Sequence, residues 1–264
     1  MSLQNSIKDS KIIEYTGANQ LEINDTDIYI FFGIAYTIYK IHNTSNIYII
    51  NLEQLTMDGT HSNYNMLKDV IEMRIKFPLI HILDYSKANC KILEKHGVVS
   101  RYLPYQVNKS EIYNYDKSYD YVLCCSYNAR TSNIYNSLST YFKKHTFIGS
   151  PCRWGIDRDD ILMRSKVLLN VHHREFDYNI LEEIRIIRCI LNKVIVISET
   201  SQTQELFPLA KYIVFGNYDE LPAICIDVLN NYDKYYTNLY KEFDVNNITP
   251  VLYSYIQSIG LVSN

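Results

Sequence analysis

Histidines, glutamates and arginines gather around the ends of two apolar runs in one stretch of this chain, VLLNVHHREFDYNILEEIRIIRCILNKVIVISET, residues 167–200. His172 and His173 follow the run 167–171, and Ser198 and Glu199 close the run 194–197. Glu182, Glu183 and Arg185 open the segment between them, and Arg130 sits in SYNART just after another apolar run, 121–125. These residue types suit one kind of chemistry. Carboxylates accept hydrogen bonds from sugar and ribose hydroxyls, and the planar fork of arginine matches a diphosphate. A neutral imidazole bonds a hydroxyl or a phosphate oxygen. Each has a plainer alternative: a packed histidine, a solvated pair for Glu182 and Arg185 at three-residue spacing, a helix cap for Glu199, a surface arginine.

What would position them is a βαβ unit. Both runs are apolar without alternation, as parallel strands covered on two faces are. Between them Ile180, Ile184, Ile187 and Leu191 recur at helical spacing, which predicts an amphipathic crossover helix. In open α/β sheets ligands bind beyond the carboxyl ends of the strands, where these polar residues fall. His172 and His173 are adjacent, so one is expected to face the site and the other to pack.

The rest of the chain alternates in the same way. Strands are expected at 27–32, 46–50, 79–83 and 101–105, with helices over 63–74 and 87–96; Ser86 suits the N-cap of the second and Gly97 its stop. After a polar linker, 107–117, the pattern restarts with a strand at 121–125, a helix at 129–143, a strand at 145–148 ending at Gly149, and a helix from Asp159. A short helix near Glu205, a strand at 212–215 and helices near 220–230 and 249–258 follow the 167–200 stretch. Strands spaced by helices imply parallel sheets.

Composition sets the class. The chain has 264 residues, 47% hydrophobic and 21% charged, with a net charge of -3, so it lacks the basic footprint of a nucleic-acid binder. Its 25 tyrosines accompany many Asn, Ile and Lys, a bias of AT-rich codons. The six cysteines form no CxxC pair, and four (Cys124, Cys125, Cys189, Cys225) lie in apolar patterns, as thiols do in a reducing compartment. No run has a signal-peptide or membrane-spanning character. Zinc-type spacings, GxGxxG, a P-loop and GxSxG are all absent. The sequence Asp157-Arg158-Asp159-Asp160 contains a DxD spacing that holds a divalent metal in some glycosyltransferases. It precedes a helix rather than following a strand, and Asp159 reads as an N-cap.

The runs LLNVHH, LEEIRI and VIVISET, with YIVFGNYDEL downstream and DYSKAN and RYLPY in the first half, resemble GT-B glycosyltransferases of the family 1/4 type. They are most similar to small bacterial and viral ones with an N-[IV]-H, L-E-x-x-R-[IV], V-[IV]-S-E pattern. The resemblance implies an α/β, GT-B-like fold in which two Rossmann-like domains face a central crevice. Residues 1–116 would be the acceptor side and 117–245 the nucleotide-sugar side, with 246–264 a helix returning to the first domain. It implies transfer of a sugar, hexose or pentose, from a UDP- or GDP-linked donor to a hydroxyl acceptor on a glycan or glycoprotein. The sugar- and ribose-contacting carboxylate falls on Glu182, with Glu199 second. Glu175 and Glu183 have the Glu-x7-Glu spacing of retaining members, but FDYNIL lacks their usual glycine.

The expected catalytic residues are therefore Glu182, His172 and, as a general base after a first-domain strand, Asp84. Donor contacts are expected from Arg130, Gly149, His173, Glu183, Arg185, Ser198 and Glu199. No metal or cofactor beyond the donor is expected, and no nucleic-acid partner or transmembrane segment; the location would be cytoplasmic, host cytoplasm if the chain is viral. Two alternatives are a catalytically silent nucleotide-sugar-binding subunit and a metal-dependent GT-A-type transferase using Asp157 and Asp159.

Overall fold

The computed structural model describes residues 27–33, 46–56, 62–105, 109–125, 127–148, 156–173 and 181–247. They divide into two compact units, the second running from Lys109 to Val245. Every strand pairing among the described residues is parallel.

The first unit runs β1 (Tyr29–Phe32), β2 (Ile47–Asn51), α1 (Ser62–Lys76), β3 (His81–Asp84), α2 (Lys87–Lys95) and β4 (Ser100–Tyr102). Its sheet has the order β1-β2-β3-β4. Ile47, Ile49 and Ile82 pack with Leu67, Val70 and Met73 of α1 in the core. The ends of α2 are those expected. Ser86 accepts from the N–H of Ala88, and Gly97, at φ 72°, lets the N–H of Val98 reach the Leu93 carbonyl at 3.0 Å.

The second unit runs β5 (Tyr119–Cys124), α3 (Ala129–Ser139), β6 (His145–Ile148), α4 (Ile156–Met163), β7 (Ser165–Asn170), α5 (Glu183–Leu191), β8 (Ile195–Glu199), β9 (Ile213–Gly216), α6 (Leu221–Asn230) and α7 (Tyr232–Tyr240). The sheet order is β6-β5-β7-β8-β9. The chain starts at β5, adds β6 on one side, then crosses back to add β7 on the other. The strand order thus reverses between β5 and β7, the topological switch point where doubly wound sheets bind ligands. Val122, Leu123, Val167, Leu168, Leu169, Val196 and Ile197 are all fully enclosed. Both faces of the central strands are covered, which is why their sequences do not alternate. The crossover helix α5 buries Ile186, Ile187, Cys189, Ile190 and Leu191. No disulfide joins the described cysteines.

Several boundaries move for identifiable reasons. Helix α4 begins three residues before Asp159, so that residue lies inside the helix and does not cap it. The segment expected to be a linker packs on the second unit. Asn192, at the end of α5, donates to the Glu111 carbonyl at 2.9 Å and accepts from the Tyr113 N–H at 2.6 Å. Lys117 donates to the Met163 carbonyl at 2.8 Å, and burial pulls its ammonium down to about 8. Helix α7 was not expected at all. Its periodic residues are Tyr232, Tyr236 and Tyr240, which meet ring to ring, and the Tyr240 hydroxyl donates to the Val194 carbonyl at 2.8 Å. Aromatic rings form its packing stripe, with Tyr240 buried, where aliphatic side chains would have signalled a helix. The expected helix at 249–258 lies outside the described residues, and no described helix is long and apolar enough to cross a membrane.

Lys193 turns the chain from α5 into β8 with φ 52°, a left-handed conformation that costs an L-residue roughly 1–2 kcal/mol. Glycine adopts it freely but loses more entropy on folding. Lys193→Gly is expected to raise stability by about 0.5 kcal/mol in urea unfolding, and Lys193→Val to lower it by about 1 kcal/mol or more.

Candidate functional site

The ends of β5, β7 and β8 lie level, with Asn170 beside Ser198 across β7 and β8 and Leu123 beside Leu169 across β5 and β7. Side chains leaving these ends form one connected network. Asn170 is its fully enclosed hub. Its amide nitrogen donates to Glu182 Oε2 at 2.6 Å and to Ser198 Oγ at 3.0 Å, and its oxygen accepts from Arg185 Nη1 at 3.0 Å. Glu182 and Arg185 are therefore joined through a buried amide rather than paired on a solvated helix face.

His172 is clamped from three sides. Its backbone N–H donates to Glu199 Oε2 at 3.1 Å. Ring Nδ1 lies 3.2 Å from Glu182 Oε1, and Nε2 lies 3.2 Å from the Thr200 carbonyl oxygen. An ionised carboxylate and a carbonyl can only accept, so each contact calls for a proton on the ring nitrogen it meets, and the two together favour the protonated ring. Burial by itself would lower the imidazole pKa. The hydrogen bond to Glu182, the charges of Glu182 and Glu199 and the Thr200 carbonyl outweigh it and raise the pKa above 6.5. Burial likewise pushes the Glu182 carboxyl up, but the bond to and charge of His172, with Arg185 and the Asn170 amide, bring it below 4.5. With both nitrogens committed and its side chain 6% exposed, His172 holds Glu182 in place; it has no free nitrogen for the sugar or phosphate contact expected of it.

His173 turns the other way, as a neighbouring residue leaving a strand should. Asn128 donates to the His173 carbonyl at 2.8 Å and lies 3.1 Å from its Nδ1. The same Asn128 caps α3 by accepting from the Thr131 N–H, and Thr131 completes a capping box. This link joins the ends of β5 and β7 across the switch point.

Arg130, in the first turn of α3, completes the network. Its Nη2 donates to Glu199 Oε1 at 2.5 Å, its guanidinium lies 3.9 Å from the centroid of the Tyr218 ring, and its Nε is buried without a partner. Charges alternate along the chain of contacts: Arg130, Glu199, His172, Glu182, then Arg185 through Asn170. Ser198 is enclosed, accepting from Asn170 and donating to the Glu199 carbonyl at 3.0 Å. Glu183 is buried at the start of α5, where a carboxylate meets the positive end of the helix dipole. Gly149 lies outside the described residues.

Asp84 and Asp159, the latter from the alternative metal motif, are each committed to partners of their own. Asp84, expected as a general base, is in the first unit and fully enclosed. Its oxygens accept from Asn51 at 2.7 Å, the Ser86 N–H at 2.9 Å and Asn89 at 3.0 Å. Burial, opposed by those three donors, pushes its carboxyl up to about 7, but no face is left for an acceptor hydroxyl. Asp84 ties the ends of β2 and β3 together. Asp159, half of the candidate metal motif, is held by Arg188 of α5, at 2.9 Å and 2.8 Å to its two oxygens. A carboxylate gripped at both oxygens by one guanidinium is not open to a cation. Among the described residues no group of three His, Cys, Asp or Glu could hold a metal ion.

Asn170, Asn128, Thr200 and Tyr218 were not anticipated. Asn170 had a usable signal, a polar residue closing an otherwise apolar strand; the others act through a cap, a backbone carbonyl and a ring, which sequence patterns do not display.

The His172–Glu182 pair makes a pH-dependent contribution to stability. The raised histidine pKa stabilises fully below about 6.5, and that contribution is lost as pH rises through the folded value; the depressed Glu182 pKa stabilises above about 4.5 and is lost as pH falls through its folded value. Urea unfolding at pH 6 and pH 9 is expected to show a fall in stability with rising pH that is absent from His172→Gln. Because breaking a buried pair strands its partner, His172→Ala should cost about 3 kcal/mol at pH 6. An unchanged pH profile in His172→Gln would show the ring to be neutral.

No protein-family model matches the chain. An uncharacterized protein of Acanthamoeba polyphaga mimivirus is 28% identical over 226 residues, covering 83% of this chain and 74% of that protein. A second from the same virus is 33% identical over 204 residues, 72% of this chain but 26% of its own length, so the chain spans only about a quarter of that relative. Among solved structures, an S. aureus TarM mutant in complex with fondaparinux, alpha-GlcNAc-glycerol and UDP aligns over 84% of this chain and 56% of its own at 9% identity and a TM-score of 0.47. The crystal structure of TarM aligns over 89% of this chain and 54% of its own at 11% identity, and its TM-score of 0.53 makes the fold, parallel α/β throughout, one that this chain shares with TarM.

Proposed function

We propose that the chain is a GT-B-like glycosyltransferase that moves a sugar from a nucleoside-diphosphate donor, UDP- or GDP-linked, to a hydroxyl acceptor on a glycan or protein. The observation that carries this reading is Arg130. A guanidinium has five donor hydrogens; here one nitrogen is tied to Glu199 while Nε is buried and unpartnered, at the switch point of a doubly wound sheet. Such a group is completed by an anion with several oxygens. A shared fold with TarM, a protein captured with UDP, fits a diphosphate in that place.

In this reading the second unit binds the donor and the first serves the acceptor. Arg130 and Arg185 oppose the charge that develops on the leaving diphosphate, a form of preorganised stabilisation that commonly supplies the largest part of catalysis. Charged side chains do this without a metal. Glu182 and Glu199 orient donor hydroxyls with the lone pairs that His172, Asn170 and Arg130 leave open, since a carboxylate offers about four acceptor sites. His172 contributes by fixing Glu182, and His173, Glu183 and Ser198 by shaping the strand ends around it.

A thermal-shift panel with UDP, GDP, CMP, dTDP and ADP, each with and without magnesium or manganese, tests the reading. A ligand at about 100 times its Kd adds about 2.7 kcal/mol, which raises the midpoint by several degrees for a protein of this size. The expected outcome is a metal-independent shift with one diphosphate, abolished in Arg130→Ala. The bound donor should then be turned over with an acceptor; binding without turnover would mark a silent nucleotide-sugar-binding subunit. Silence of the wild-type protein across the whole panel would overturn the reading.

A further inference from the structure

Tyr218 lies on the turn after β9, distant in sequence from Arg130, yet it holds that arginine at two points. Its hydroxyl donates to the Arg130 backbone carbonyl at 2.9 Å, and its ring lies against the guanidinium with 3.9 Å from Cζ to the ring centroid. The turn that carries Tyr218 is itself fixed. The backbone N–H of Asn217 donates to Glu220 Oε2 at 2.9 Å in a capping box, Gly216 gives the close approach that the Ile224 side chain of α6 occupies, and the Thr200 N–H donates to the Gly216 carbonyl at 2.9 Å.

The two kinds of contact on Arg130 differ in what they leave free. Glu199 takes a hydrogen in the guanidinium plane. An aromatic ring attracts the cation through its face, so Tyr218 restrains the side chain without taking any in-plane N–H. An arginine anchored in this way has lost its rotamer freedom before a ligand arrives, while the ring uses up none of its N–H donors. A second carboxylate in place of the ring would have restrained it equally and used up the donors.

We infer that Tyr218 is a positioning residue that presets Arg130 for the diphosphate of the donor; this rests on the donor-binding reading above. It acts on the phosphates through Arg130 and makes no contact with the base. Isothermal titration with inorganic pyrophosphate, UDP, GDP, uridine and guanosine tests it on wild-type protein, Tyr218→Phe and Tyr218→Leu, with circular dichroism melts alongside. The expected result for Tyr218→Leu is about tenfold weaker binding of pyrophosphate and of the diphosphate that the wild type prefers, with binding of the matching nucleoside unchanged. Tyr218→Phe keeps the ring and should restore affinity to within about threefold, the hydroxyl bond being the smaller restraint. If Tyr218→Leu proves unfolded, Tyr218→Met repeats the test with a side chain nearer in volume.

Wild-type affinity for pyrophosphate in a folded Tyr218→Leu would overturn this inference alone. A parallel loss of nucleoside binding would overturn it too, by making Tyr218 a base contact. A wild-type protein that binds neither pyrophosphate nor any diphosphate would remove the donor-binding reading and the inference with it.

Discussion

Everything at the strand ends of the second unit turns on a ring with acceptors on both sides. Glu182 Oε1 and the Thr200 carbonyl face the two ring nitrogens of His172 and both accept, a setting that raises the imidazole pKa and favours the charged ring beside two enclosed carboxylates. Glu182 and Glu199 would each be costly to bury alone. With His172 between them, and Arg130 and Arg185 at the two ends, each negative charge faces a positive one. The ends of β7 and β8, the first turn of α3 and the start of α5 are linked to one another by these charges.

The first unit solves the same topological problem with neutral groups. Asn51 and Asp84 are register partners at the ends of β2 and β3, and Asn89 from α2 donates both to Asp84 and to the Glu53 carbonyl. Asp84 is enclosed there, and its side-chain partners are the amides of Asn51 from β2 and Asn89 from α2. Amides and backbone N–H groups hold these ends, whereas full charges hold those of the second unit.

Much of this was legible in the chain itself. The paired apolar runs around 167–171 and 194–197 gave the βαβ unit, because strands buried on both faces need no polar alternation; Ser86 and Gly97 gave the ends of α2, because caps are local chemistry. That polar residues would meet at the ends of β7 and β8 followed from where the apolar runs stop. What could not be read was partnership. Glu182 and Arg185 have the spacing of a surface pair, and nothing nearby in sequence says that Asn170, more than ten residues earlier, stands between them. Asp84 looked like a base because a carboxylate closes its strand, but its enclosure depends on Asn51 and Asn89 arriving from two other elements. Helix α7 was hidden by composition: in a chain with 25 tyrosines a tyrosine every fourth residue does not stand out as a packing stripe.

The alternation of charge along the network has a consequence for how such a site can change over generations. Each ionised side chain is balanced by the next, so neutralising any one of them leaves a neighbour charged, enclosed and unanswered. A lineage that changes one member of such a pair meets a stability cost that a matching change at the other member relieves. Arg130 with Glu199, and His172 with Glu182, are therefore positions at which remodelling the binding chemistry and keeping the fold are linked.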